Sequence, residues 1–279
     1  MNDVRGGLAE AARRLIGVSD TARLDAELLM AHALEVSREV MLLSRLGGQV
    51  PVEFEALLAR RMAHEPVAYI TGRRDFWTIS LNVSPAVLIP RPDSETLIEA
   101  AVGHFGRAGP KRVLDLGTGS GALLLAALSE WPDASGVGVD ASDAALAVAA
   151  ANAKSLGLAD RAAFVLGDWG EGVDERFDLI LCNPPYVESG AMLAAEVADY
   201  EPASALFAGE DGLEDYRHLM PQFARLMEPG AIVALEIGAE QAEVVSALAL
   251  KAGLSARCFQ DLAGRSRCLL LSQLYHQIN

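Results

Sequence analysis

The chain is short of cysteine, of basic residues and of long apolar runs, and each shortage removes a class of function. Its three cysteines are Cys182, Cys258 and Cys268, in 279 residues. No two have CxxC spacing, so no zinc site is expected. The odd, sparse count, with no signal-peptide pattern, points to a reducing cytoplasm. The histidines (His32, His64, His104, His218 and His276) are scattered, form no metal-ligand pair, and read as surface or structural groups. Lys and Arg number 23 against 38 Asp and Glu, a net charge of -15. A protein that works on phosphate backbones carries a basic face, so no direct nucleic-acid partner is expected. No apolar stretch reaches the ~18–20 residues of a membrane span, so no membrane partner is expected either.

What remains is a globular chain, 51% apolar and 22% charged, long enough for two domains. Residues 1–72 read as a small all-α domain of four or five helices. Leu24, Glu27, Leu28, Ala31 and Leu34 recur at helical spacing, and Pro51 opens a helix with Phe54, Leu57 and Leu58 on one face. Residues 73–92 form a linker. Residues 76–81 and 83–89 read as two strands of a β-hairpin around Asn82, stiffened by Pro85, Pro90 and Pro92. Asp93 or Ser94 then caps a helix. Over 93–279 strands alternate with helices, which predicts an α/β fold with a parallel sheet covered on both faces. Residues 256–260 and 267–273 are expected to pair as an antiparallel exception at its end.

Two motifs end strands in this region. The first is Asp115-Leu116-Gly117-Thr118-Gly119-Ser120-Gly121. Its glycines let the backbone turn sharply and approach a ligand, and the helix that follows offers free N–H groups and its positive dipole end. Gly117, Gly119 and Ala122 also satisfy a dinucleotide pattern, so an NAD-type site is a rival reading. Three features favour S-adenosylmethionine. Asp115 can reach a cofactor ammonium, Asp140 ends the next strand and can chelate two ribose hydroxyls, and Asp168-Trp169 can take an exocyclic amine and cover an adenine face. Thr118, Ser120 and Asn183 complete the expected cofactor set.

The second motif, Asn183-Pro184-Pro185-Tyr186, follows the apolar run 177–182. A planar amide or adenine nitrogen is a weak nucleophile with two N–H donors, which need two acceptors once buried. Asn183 offers a side-chain carbonyl and Pro184 a backbone carbonyl, both restrained by the prolines. Tyr186 offers a flat face for stacking. Accepting both hydrogen bonds aims the nitrogen and stabilises its developing positive charge. Asn183, Pro184 and Tyr186 are therefore the expected catalytic residues, and no metal is needed.

With both motifs in hand, the chain resembles Rossmann-like class I methyltransferases, and most closely the bacterial peptide chain release factor glutamine methyltransferases, the PrmC or HemK family. The resemblance runs through 65–72, Phe76-Trp77, the 88–95 segment, both motifs, Glu201-Pro202 and 261–265. It implies methylation of the glutamine in the Gly-Gly-Gln loop of class 1 release factors. It also implies that the helical domain docks the factor, that Asn183 and Pro184 bind the target amide with Pro185 and Tyr186 beside them in the substrate site, and that Leu88, Pro90 and Arg91 help wall the pocket. In that family the position of Ser94 is often threonine, which keeps the hydroxyl. Other readings are a ribosomal-protein glutamine methyltransferase, an adenine-amine methyltransferase on DNA or RNA, a non-catalytic nucleoside-binding adaptor and a dehydrogenase. The chain's own Gly47-Gly48-Gln49 is taken as coincidence.

Overall fold

A computed structural model describes residues 3–274, so His276 lies outside the described residues. The chain folds into two compact units, one made of the residues up to 73 with 193–200, the other of 74–192 with the residues from 201 onward.

The first unit is helical: α1 (Val4–Leu15), α2 (Ala22–Ala33), α3 (Arg38–Ser44), α4 (Phe54–Met62) and α5 (Val67–Thr71). Side-chain caps start two of them, with Asp3 accepting from Gly6 N and Ser37 from Val40 N. Gly72, at φ 71°, ends α5 in the left-handed conformation that suits glycine. Residue 51 does not open α4. It begins a turn whose carbonyl accepts from Phe54 N, and the helix starts there.

The expected helix over 24–34 is present, but its buried face is rotated. Ala26, Leu29 and Met30 are fully buried, while Leu24 and Leu28 are 41% and 36% exposed. Glu27 and Ala31 of the expected set stay buried, and Asp25 joins them inside. Asp25 meets the buried Arg61 at 2.7 Å, and Glu27 takes Arg23 and Arg38. Arg61 also holds Glu196 at 2.8 Å, in the segment that returns to this unit late in the chain. Polar pairing, invisible to an apolar periodicity, thus set the helix orientation. The Gly47-Gly48-Gln49 turn is exposed, with Gly48 O accepting from Val4 N.

The hairpin differs from expectation. Its strands are β1 (Arg73–Phe76) and β2 (Ile79–Asn82), so the turn lies at Trp77-Thr78 rather than at Asn82. Trp77 adopts φ 53°, and its N–H donates to Glu95 Oε1 at 2.9 Å. Residues 83–91 form no strand. Two prolines there lack a ladder donor, and the remaining groups are engaged elsewhere: Ile89 N donates to Glu201, and Pro90 O accepts from Arg74.

The sheet is built from β3 (Arg112–Leu116), β4 (Ser135–Asp140), β5 (Ala162–Leu166), β6 (Phe177–Cys182), β7 (Met227–Glu236), β8 (Leu254–Gln260) and β9 (Ser266–Gln273). The order is β5-β4-β3-β6-β7-β9-β8, with β9 antiparallel to both neighbours and the remaining pairs parallel. It has the Rossmann-like class I methyltransferase architecture. The connecting helices are α6 (Glu95–Phe105), α7 (Ala122–Glu130), α8 (Asp143–Ser155), α9 (Ala195–Ala198, in the returning segment), α10 (Glu214–Leu226) and α11 (Ala242–Lys251).

The central strands read as continuous apolar runs because both their faces are buried. Val113, Leu179, Leu181 and Ile232 pack with α6 and α7, while Leu114, Ile180, Val233 and Leu235 pack with α10 and α11. Each such side chain contributes about 1.5–3 kcal/mol of burial free energy. This two-sided core makes the strands stiff supports for the loops at their C-terminal ends.

Candidate active site

The strand order reverses between β3 and β6, which lie side by side with Leu116 opposite Cys182. At such a switch point the loops leaving two neighbouring strands diverge and open a crevice. The glycine loop leaves β3 and the Asn183 loop leaves β6, so both motifs border one cavity. Its volume is 740 Å³. Gly117, Thr118, Gly119, Ser120, Asp140, Asp168 and Trp169 lie on its wall, as do Asn183, Pro185, Leu88, Pro90 and Arg91. Asp115, Gly121, Pro184 and Tyr186 do not line it.

The glycine loop is shaped for close approach. Gly117 has φ 73°, and a Cβ there would fall 3.1 Å from Trp169 Cζ3. Trp169 is itself at φ 51°, a left-handed backbone that an indole rarely adopts. That conformation sets its ring against the loop. Asp140 braces the loop from β4: Oδ2 accepts from Gly119 N at 2.8 Å and Oδ1 from Ser142 N at 2.9 Å. Each carboxylate oxygen keeps a second lone pair for a ligand hydroxyl.

Asp115 stands behind the loop. Its Oδ2 accepts from Thr118 Oγ1 at 2.6 Å and Leu124 N at 3.3 Å, which ties the loop to the first turn of α7. Its Oδ1 is buried with no hydrogen-bond partner among the described residues. Burial pushes its pKa up to about 7. Gly121 caps α7 in a left-handed conformation at φ 81°, turning the chain rather than facing a ligand. The donor set fits an adenosyl amino acid: carboxylates at Asp140 and Asp168, an indole face, and close backbone at the glycines.

Asp168 is exposed, and the fold brings it near Glu171 and His218, a grouping the linear spacing of histidines did not reveal. All three are exposed, and His218 Nε2 lies 3.7 Å from Glu171. His32 and His104 are also exposed, and His64 is half-buried.

At the other end, Asn183 is half-buried on the wall and its Nδ2 donates to Ser94 Oγ at 3.2 Å. Asp93 or Ser94 was expected to cap a helix. Ser94 does occupy the N-cap position of α6, but its side chain makes no capping bond and turns to Asn183 instead. Tyr186 is drawn away from the cavity. Its hydroxyl lies 3.4 Å from Glu236 Oε1, and Arg267 Nη1 lies 3.4 Å from that hydroxyl. Burial pushes the tyrosine pKa up to about 12. Cys182 is fully buried in the core.

Three polar residues that carry this corner were not singled out as site residues from the sequence. Glu201, 6% exposed, accepts from Ile89 N and pairs with Arg91 at 2.6 Å, so it holds the 88–92 wall. Glu236 and Arg267 are 1% and 7% exposed. Burial pushes the Glu236 pKa up to about 7, and hydrogen bonds from Ser94 and Tyr186 and the charge of Arg267 oppose the shift. One signal was available: a carboxylate closing an otherwise apolar strand needs a partner.

Comparison with known proteins agrees with this architecture. Residues 8–72 match the PrmC N-terminal domain, and residues 109–266 match a methyltransferase domain. The chain is 44% identical to the release factor glutamine methyltransferase of Rhodospirillum rubrum, over 89% of this chain and 78% of that one. It is 39% identical to the one from Moorella thermoacetica, over 96% and 97%. Among solved structures it resembles the Thermus thermophilus 16S rRNA N2 G1207 methyltransferase in complex with AdoMet and guanosine. The TM-score is 0.55 at 21% identity, over 72% of this chain and 50% of that one, a likeness of fold.

Proposed function

Because the chain belongs to the release factor glutamine methyltransferase family, we propose that it transfers a methyl group from S-adenosylmethionine to a release factor. The acceptor is the side-chain amide nitrogen of the glutamine in the Gly-Gly-Gln loop of class 1 factors. The observation that carries this reading is the shared cavity, whose wall brings Gly117, Asp140 and Trp169 together with Asn183.

The cofactor, when bound, supplies an electrophilic methyl on a sulfonium. Asp140 takes the ribose hydroxyls, and Asp168 and Trp169 take the adenine. Gly117 to Ser120 lie against the amino-acid part, and Asp115 shapes that loop from behind. Asn183 accepts one N–H of the target amide through Oδ1, and the Pro184 carbonyl, off the cavity wall in this structure, accepts the other once its loop turns it inward. Both acceptors stabilise the positive charge that grows on nitrogen. Leu88, Pro90 and Arg91, held by Glu201, wall the amide side and exclude water. Much of the rate would come from holding the weak nucleophile in line, worth up to ~7–11 kcal/mol. Tyr186 serves from the core, bracing the loop through its hydroxyl and through its carbonyl, which accepts from Gln241. The helical residues up to 72 provide a second docking surface for the factor. Among the described residues no helix is long and apolar enough to cross a membrane.

Labelled S-adenosylmethionine tests this reading against a class 1 release factor, its Gln→Ala loop variant, ribosomal protein and duplex DNA. Label on the intact factor alone is the expected result. Label on DNA or ribosomal protein instead would overturn the substrate, and no label with the cofactor bound would favour an adaptor.

A further inference from the structure

Asn152 is fully buried on α8 and does not line the cavity. Its side chain nevertheless meets four polar atoms. Nδ2 donates to Ser120 O at 2.9 Å and to Asn82 O at 3.0 Å. Oδ1 accepts from Asn82 N at 2.8 Å and from Asn82 Nδ2 at 3.0 Å. These partners fix which way the amide points. Two of them are backbone carbonyls, which only accept, and a third is a backbone N–H, which only donates. The reversed amide would set an NH₂ against that N–H and an oxygen against both carbonyls.

The two ends of this bridge lead to different parts of the cavity wall. Ser120 lies in the glycine loop and on the wall. The helix meets that loop again one turn earlier, where a Cβ on Gly121 would fall 3.3 Å from the Ala149 side chain. Asn82 ends β2, and the chain that leaves it brings Val87, Leu88, Pro90 and Arg91 to the wall. Residues 83–91 have no strand ladder to hold them. Asn152 pins the start of this segment, and Glu201 pins its far end through Ile89 and Arg91. Pro85 and Pro90 stiffen the chain between the two pins.

We propose that Asn152 is a positioning residue for both halves of the reaction. One buried amide sets the glycine loop that takes the cofactor and the 83–91 wall that takes the acceptor. The acceptor half rests on the glutamine methyltransferase reading above. The loop half needs only that S-adenosylmethionine binds. Without the Asn152 donor, Ser120 O and Asn82 O are left unpaired, and the loop and the wall must each move to satisfy them.

Asn152→Asp tests this, because it keeps the shape and replaces the donor with an acceptor. Wild type and variant are compared well below their melting temperatures. Calorimetry gives S-adenosylmethionine affinity, and methylation kinetics use a class 1 release factor at saturating cofactor. The dissociation constant of the cofactor is expected to rise about tenfold, as for one lost hydrogen bond. KM for the factor at saturating cofactor is expected to rise about tenfold as well, because Asn82 O loses its donor. Saturated kcat should stay within about threefold, since Asn183 is untouched. A residue that shaped only the cofactor loop would leave KM unchanged once cofactor saturates. A residue that merely held the fold would lower the melting temperature and leave both binding readouts as in wild type. Asn152→Ser keeps a donor on a side chain too short to bridge Asn82 and Ser120, and it gives the same readouts if the aspartate variant does not fold. An unchanged cofactor affinity or an unchanged KM in a folded variant overturns the proposal. If wild type binds cofactor but methylates no factor, the functional reading falls and the acceptor half with it, while calorimetry still judges the loop half.

Discussion

Gly117→Ala probes the glycine loop where its geometry is tightest. The residue sits at φ 73°, where an alanine incurs roughly 1 kcal/mol of backbone strain. Its new methyl would lie 3.1 Å from Trp169 Cζ3, closer than ordinary contact. Trp169 cannot yield freely, because its own backbone is held at φ 51° and its neighbour Gly170 N donates to Gln222 Oε1 at 2.9 Å. A further ~1 kcal/mol is reasonable for that crowding. The total of ~2 kcal/mol has two places to appear. If the free loop stays in place, folding stability falls by that amount. If the free loop relaxes away, the strain returns on cofactor binding, and the dissociation constant rises by about 30-fold. Thermal melting with and without S-adenosylmethionine, together with calorimetry, measures both. At saturating cofactor kcat should stay within about threefold, because Asn183 is untouched. A variant with wild-type melting and wild-type affinity would refute the argument.

Asn183→Ala should cut kcat by ~10²–10³, as for the loss of one preorganised polar group, while cofactor affinity changes little; steady-state kinetics and calorimetry check both halves. Asp140→Ala should instead weaken S-adenosylmethionine, and equal affinity would misplace the ribose assignment. Arg61→Ala strands the buried Asp25 carboxylate and releases Glu196, so chemical denaturation of the helical unit should show a loss of ~3–5 kcal/mol. Asp115 and Glu236 are both raised to about 7 from the ordinary carboxylate range. The folded state therefore binds their protons more tightly than the unfolded state. Their contribution to stability is full below the unfolded pKa values and is lost as pH rises through 7. Wild type should be less stable at pH 8 than at pH 6, and Glu236→Gln should shrink that difference by ~1 kcal/mol; an unchanged slope would mean the group is not held as described.

The sequence alone carried the alternation of apolar strands and helices, the parallel core and the two loop motifs. These are local properties. A strand buried on both faces must be apolar throughout, a sharp turn near a ligand needs glycine, and two prolines stiffen whatever precedes and follows them. It also carried the chemistry of Asn183 as an acceptor, because that belongs to the side chain itself. The family resemblance added the substrate, which no periodicity contains.

Tertiary structure decided the rest, because it depends on which distant residues become neighbours. The reversal of strand order between β3 and β6 brings the two motifs to one cavity. Buried polar pairing turned α2 so that Asp25 faces inward beside Glu27 and two leucines face out. Hydrogen bonds to Glu95 and Glu201 moved the hairpin turn to Trp77 and left 83–91 irregular. The same kind of long-range partner drew the Ser94 side chain from a capping role to Asn183 and turned Tyr186 towards Glu236. A helical or strand pattern reports only the side a residue faces. The partner of a buried charge or amide is chosen by the fold, since desolvation makes an unpaired polar group too unfavourable to leave alone.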